Sequence, residues 1–111
     1  MIEIVIKNYL QSKLFAQVYM EFPQTPPERF YVLRRSGAGR ENMIETSTLI
    51  LDSYGPSLLE AAQLNEIGKT AMDELVDLDE VTSSVRSGDY PYEDVRTKKY
   101  RYQAVQTITH Y

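Results

Sequence analysis

His110 is the sole histidine of this 111-residue chain, and cysteine is absent. A single imidazole beside the last residue supplies neither a metal-ligand set nor a well-held general base. Its expected place is a solvent-facing position on a strand. The lack of cysteine removes disulfides, thiolate metal sites and cysteine nucleophiles together. Gly37-Ala38-Gly39 has a superficial likeness to a phosphate loop, but the G-x-x-x-x-G-K-[ST] spacing is missing. Arg40-Glu41-Asn42-Met43 then leads toward a strand, not into the helix N-terminus that holds phosphate.

Two charged groups remain. Asp73, Glu74, Asp77, Asp79 and Glu80 lack the Gly-centred spacing of an EF-hand loop. Acids at the C-terminal end of a helix also oppose its dipole, so a solvated or partner-facing acidic edge is expected. Arg96, Lys98, Lys99 and Arg101 form the main basic cluster, with Tyr100 and Tyr102 interleaved. Such a segment suits phosphate contact and base stacking, and equally an interface to an acidic neighbour. The net charge of −4 favours the interface. No nucleophile–base pair or ligand set stands out, so no enzymatic activity and no cofactor are expected.

The elements that position these residues follow from periodicity. Residues 2–14 place Ile2, Val5, Ile6, Tyr9 and Leu10 at helical spacing. The β-branched run at residues 2–6 also suits a strand, but the helix formers from Asn8 to Leu14 favour a helix. Ala16 to Phe22 and Arg29 to Arg35 read as two strands flanking Pro23-Gln24-Thr25-Pro26-Pro27, which cannot sustain a ladder. The simplest expectation is an antiparallel hairpin with a stiff connection. Ser36 to Asn42 reads as a polar loop and Met43 to Ser53 as a third strand. From about Ser57 to Val76 a helix is predicted, with Ser57 and Glu60 at capping-box spacing and Gly68 as a packing glycine inside the apolar stripe. Val81 to Ser87 and Tyr100 to Tyr111 read as strands around a turn-rich loop at Gly88–Asp94.

Composition sets the frame. The length suits one domain over residues 1–111, and 42% hydrophobic with 25% charged residues is ordinary for a folded chain. The predicted class is α+β: a mixed, mostly antiparallel sheet of about five strands with two helices packed on one face. No apolar run reaches membrane-spanning length. Met1-Ile2-Glu3-Ile4-Val5-Ile6 lacks a basic n-region and a small-residue cleavage site, so it does not read as a signal peptide. Basic and acidic residues balance over residues 1–55, whereas residues 56–111 carry six basic and ten acidic. Nine tyrosines suit half-buried strands and subunit contacts alike.

In this order, Val18-Tyr19-Met20-Glu21-Phe22-Pro23, Phe30-Tyr31-Val32-Leu33 with Ser36-Gly37-Ala38-Gly39, Leu58 through Leu75, Tyr90-Pro91 and Tyr100-Arg101-Tyr102-Gln103-Ala104 resemble the tail-terminator (tail-completion) proteins of long-tailed bacteriophages. The proline content of the turn and the basic Arg34-Arg35 depart from the family pattern. The resemblance implies a small sheet-plus-helix subunit that assembles as a ring, typically a hexamer, on the last ring of the tail tube. It implies the tube protein and a head-tail connector or neck protein as partners, a place in the virion at the neck, and DNA passing through the lumen without specific binding. The basic and loop residues beside the strands, Arg34, Arg35, Arg40, Glu41, Met43, Arg96, Lys98, Lys99 and Arg101, are the expected subunit or tube contacts. A neck or head-completion protein is the alternative, and a small nucleic-acid-binding module a more distant one.

Overall fold

Alternating strand pattern and one long apolar helical stripe fold as a two-layer α+β domain. The computed structural model describes residues 2–41, 44–94 and 99–110. Its elements are α1 (Ile2–Lys13), β1 (Gln17–Tyr19), β2 (Phe30–Glu41), β3 (Ile44–Gly55), α2 (Leu58–Asp73), a 3₁₀ turn (Glu74–Asp77), β4 (Val81–Asp94) and β5 (Lys99–His110). The strands form one sheet in the order β1-β2-β3-β5-β4. β1 is parallel to β2, and every other pairing is antiparallel.

Both helices lie on one face. Ile6, Leu10 and Leu14 from the first helical segment and Leu64, Met72 and Leu75 from the second meet Tyr31, Leu33, Leu49, Leu51 and Ile108 of the sheet. Fully burying one such side chain contributes roughly 1.5–3 kcal/mol, so this single core dominates stability. α2 starts where expected: Ser57 is extended and its Oγ accepts from the Glu60 N–H at 3.2 Å. The reciprocal half of the capping box is absent, because the Glu60 carboxylate pairs with Arg29 instead. The α-helix ends at Asp73, and the 3₁₀ turn carries the chain to Asp77. Gly68 is the packing glycine: a Cβ there would lie 2.8 Å from Leu51 Cδ2 and 3.1 Å from Tyr31 Cε1.

The expected hairpin between the first two strands is not formed. β1 is only three residues long and runs parallel to β2. Residues 20–29 return the chain because Phe22 folds back to pack edge-on against Phe30 and Tyr54, at 5.6 and 5.5 Å between ring centroids. A parallel neighbour ordinarily needs a long crossover, but so short a strand needs little return distance. Gln11, in the last turn of α1, holds the edge. Its amide donates to the carbonyls of Leu14 and Ala16 at 3.3 Å each, while its Oε1 accepts from the Val18 N–H at 2.8 Å.

Two predicted loops are strand. Ser36–Glu41 continues β2 opposite β3, with a register shift between Arg35 and Gly37. Gly88–Asp94 continues β4 opposite β5, with shifts between Val81 and Ser83 and between Arg86 and Gly88. Gly88 has φ +149, a conformation that favours glycine within such a bulge. Pro91 is tolerated in β4 because this is an edge strand, where a missing N–H costs no ladder bond. Asn42 and Met43 of the expected first loop lie outside the described residues.

Candidate functional site

The face of the sheet opposite the helices is only partly open, and the residues on it are set by register: Phe30, Val32, Ile50, Asp52, Tyr54 and Gln103 are buried, whereas the positions toward Thr46 and Val85 reach solvent. Near one end Phe30, Val32 and Tyr54 form a second, smaller apolar cluster, with the Phe30 and Tyr54 rings stacked at 4.6 Å. Beyond it a row of charge crosses three adjacent strands. Asp52 of β3 is 2% exposed, and the Arg34 Nε of β2 donates to its Oδ2 at 3.1 Å. Arg101 of β5 places Nη1 3.7 Å from the same oxygen and donates to the Tyr54 hydroxyl at 3.2 Å. Its guanidinium also lies 5.8 Å from the Tyr54 ring centroid. The cross-strand partners are Val32↔Asp52 and Asp52↔Gln103, so both arginines reach Asp52 diagonally. The row carries one net positive charge.

Farther along, the open face changes character. From the bulge after Arg35 to the level of Thr46, its positions on β2, β3 and β5 are Gly37, Gly39, Thr46, Thr48, Val105, Thr107 and Thr109, with Ile50 beside them. On β4 the corresponding positions are Ser83, Val85 and Gly88. None is charged. Val85 is 60% exposed, and no Cβ is present at Gly37 or Gly39 to roughen the surface. The region is uncharged but not apolar, since the hydroxyls of Thr46, Thr48, Thr107 and Ser83 stand among its glycine and valine positions, as on the polar side of an antiparallel sheet.

The helix face is acidic around α2. Residues 58–80 carry seven acidic residues against one lysine. Some of these acids are tied to the sheet. Asp73 receives Arg86 Nη2 at 2.7 Å and Gln106 Nε2 at 3.0 Å, while Gln106 also donates to Ser84 Oγ. Partial burial pushes the Asp73 pKa up, but the hydrogen bonds from Arg86 and Gln106 outweigh it and hold the carboxyl below its ordinary value. Asp89 accepts from Lys69 Nζ at 2.8 Å and Asn65 Nδ2 at 2.9 Å, and the lysine bond lowers its pKa. The same bond, with Glu66, raises that of Lys69. Outward, α2 presents Leu59, Gln63, Glu66, Ile67 and Thr70 at helical spacing, with Leu59 68% exposed. Beside this stripe runs a shallow groove of about 250 Å³ lined by Lys13, Leu14, Ile67, Thr70, Ala71 and Glu74. A separate shallow hollow is lined by Phe15, which is 87% exposed, with Arg29, Glu60, Gln63, Leu64 and Ile67.

The predicted contact residues therefore divide. Arg34 and Arg101 are brought together around Asp52, a partner that their sequence separation hid. Arg35 lies on the helix face and pairs with Glu3 at 3.4 Å. Arg40 and Glu41 occupy one end of the sheet, in register with Glu45 and Ile44, and Lys99 begins β5 at the opposite end, in register with Asp94. Met43, Arg96 and Lys98 lie outside the described residues.

His110 is not solvent-facing. It is 1% exposed, with Nε2 2.9 Å from Ser47 Oγ and Nδ1 3.7 Å from a Glu45 carboxylate oxygen. β5 is an interior strand paired on both sides, and its alternation turns His110 toward the helix-covered face. Among the described residues, no group of three or more His, Cys, Asp or Glu side chains is arranged to hold a metal ion. None of the described helices is long and apolar enough to cross a membrane.

Fold and surfaces define a class: a two-layer α+β domain with two helices on one face of a five-stranded mixed sheet and a partly open face on the other, charged at the Arg34–Asp52–Arg101 row and uncharged beyond it. Compared with models of known families and with curated proteins, the chain matches none.

Proposed function

We propose that this protein is a structural subunit of a bacteriophage virion, a ring-forming tail terminator that caps the tail tube, ends its polymerisation and offers the joining surface to the head. The uncharged region of the sheet that runs from Gly37 and Thr46 across to Val85 carries this reading, since it offers several adjacent strands to another protein without a charge to desolvate. The element order, helix, three strands, helix and two strands, also agrees with the order of segments on which the resemblance rests. The action is steric: one side of the ring copies the complementarity of a tube subunit, and the other refuses a further tube ring. No bond is made or broken. A net charge of −4 suits a lumen that lets DNA pass without releasing counterions.

Adding the purified protein to polymerising tube protein tests this directly by electron microscopy. Shortened tubes of uniform length, each with an extra ring at one end, are expected. Unchanged tube lengths and bare tube ends overturn the assignment. Retention by connector protein without any effect on tube growth moves the protein to the neck.

A further inference from the structure

We propose that the outer edge of β2, from Arg34 to Glu41, receives an extended acidic segment of another protein as an added strand. Resting on the tail-end reading, the segment belongs to the tube protein.

β1 pairs only with Phe30, Tyr31 and Val32, whereas β2 runs on to Glu41 with β3 on its other side. Among the described residues, no strand pairs with β2 on this side beyond Val32. Arg34, Arg35, Ser36, Gly37 and Gly39 are exposed. Residues 34–41 amount to roughly 26 Å of edge, and free N–H and C=O groups along such an edge are a template for a further strand. The opposite edge, β4, is blunted: it carries Pro91, two register shifts and Gly88 at φ +149. Residues 34–41 of β2 have one shift, at Arg35/Gly37, and no proline.

α1 lines this lane. Gln11 accepts from the Val18 N–H of β1, and Glu3, on the same side of the helix, lies 3.4 Å from Arg35 Nη1 of β2. From Glu3 to Gln11 the helix rises ~12 Å, and from Tyr31, the partner of Val18, to Arg35 the strand advances ~13 Å. Helix and lane therefore run side by side. Glu3 Oε1 is shielded from solvent and accepts no hydrogen bond among the described residues. A shielded acceptor without a donor costs stability until one arrives. Glu3 is thus placed to serve a backbone N–H of the added strand, as Gln11 serves one of β1.

Charge selects the occupant. Residues 34–41 carry Arg34, Arg35 and Arg40 against Glu41. Two copies of this edge laid together would set arginines among arginines, which opposes a second copy in the lane. Arg34 and Arg35 are each paired on one side, with Asp52 and Glu3, and both remain open to solvent on the other. The fitting segment is extended and carries acid, not base. Large side chains suit it where it passes Gly37 and Gly39, since nothing lies within 4 Å of where their Cβ atoms would be.

Hydrogen exchange of the full chain, alone and saturated with purified tube protein, tests the contact. Alone, the outward amides of residues 34–41 are expected to exchange freely. In the complex they are expected to slow by on the order of tenfold or more, while β4 keeps its rates. Gly37→Glu/Gly39→Glu sets acid against acid on an edge with room for both side chains, so circular dichroism is expected to match wild type. Tube binding by this variant is expected to weaken on the order of tenfold. A complex in which residues 34–41 exchange as in the free protein overturns the added strand and leaves the tail-end reading standing. Undiminished binding by the glutamate variant overturns it as well. Slow exchange of these amides in the protein alone also does so, because a second copy or α1 then holds the edge. No complex with tube protein at all removes the tail-end reading and this contact with it.

Discussion

Gly68 of α2 and Leu51 of β3 approach so closely that a methyl group on the glycine would sit 2.8 Å from Leu51 Cδ2. The ring of Tyr31 closes the other side of this contact, and its hydroxyl is pinned by donation to the Leu64 carbonyl at 2.8 Å. Helix and sheet therefore meet at a position where one extra carbon has no room.

Gly68→Ala is accordingly expected to destabilise the protein. Overpacking costs typically ~1–3 kcal/mol, and the gain in helix propensity returns about 1 kcal/mol. The net loss should be about 1 kcal/mol in urea unfolding. Unchanged or increased stability would show that Leu51 and Tyr31 yield freely.

Asp52→Asn removes the charge shared by Arg34 and Arg101. Breaking a buried ion pair costs about 3–5 kcal/mol, but Arg34 is half exposed and solvent screens its share, so about 1–3 kcal/mol is expected. A double-mutant cycle with Arg34→Met measures the coupling. A coupling near zero would make the row incidental to folding.

Acid should unfold the protein partly through Asp73 and Asp89. Both carboxyls have folded pKa values below the ordinary 3.8, so their contribution is full above that value and is lost as pH falls through the folded ones. Lys69, raised above 10.5, behaves inversely: its contribution is full below that value and fades as pH rises through its folded one. Asp89→Asn is expected to flatten both limbs of the stability–pH curve, since it removes one carboxylate and the principal partner of Lys69. An unchanged acid limb in that variant contradicts the assignment.

Gln11→Ala removes the amide that occupies the Leu14 and Ala16 carbonyls and the Val18 N–H. Hydrogen exchange at the Val18 amide should accelerate while α2 stays protected, because β1 has only three ladder positions to resist local opening. Equal protection in both proteins would mean that β2 alone holds this edge.

Local chemistry made some elements legible before any contact was known. Ser57 caps α2 because its hydroxyl serves an N–H three residues on, and Gly68 falls within the apolar stripe of the helix by simple periodicity. The class, a mixed and mostly antiparallel sheet with two helices on one face, follows from those stripes and alternations. Ser36–Glu41 and Gly88–Asp94 did not read as strands. Their glycines and prolines favour turns in isolation, and only the hydrogen bonds of β3 and β5 make extended backbone the better state.

What the chain by itself determined is local: where α2 begins, which residues share a face along β3 and β5, and that charge accumulates as acid in the second half. Tertiary structure alone decided the parallel sense of β1, the burial of His110 beside Ser47, and the gathering of Arg34, Asp52 and Arg101 on one face. Those outcomes depend on pairings between residues far apart in sequence, and no local preference encodes which strand will lie beside which. A side chain's neighbours across a sheet come from register, and register is settled only when the whole core packs at once.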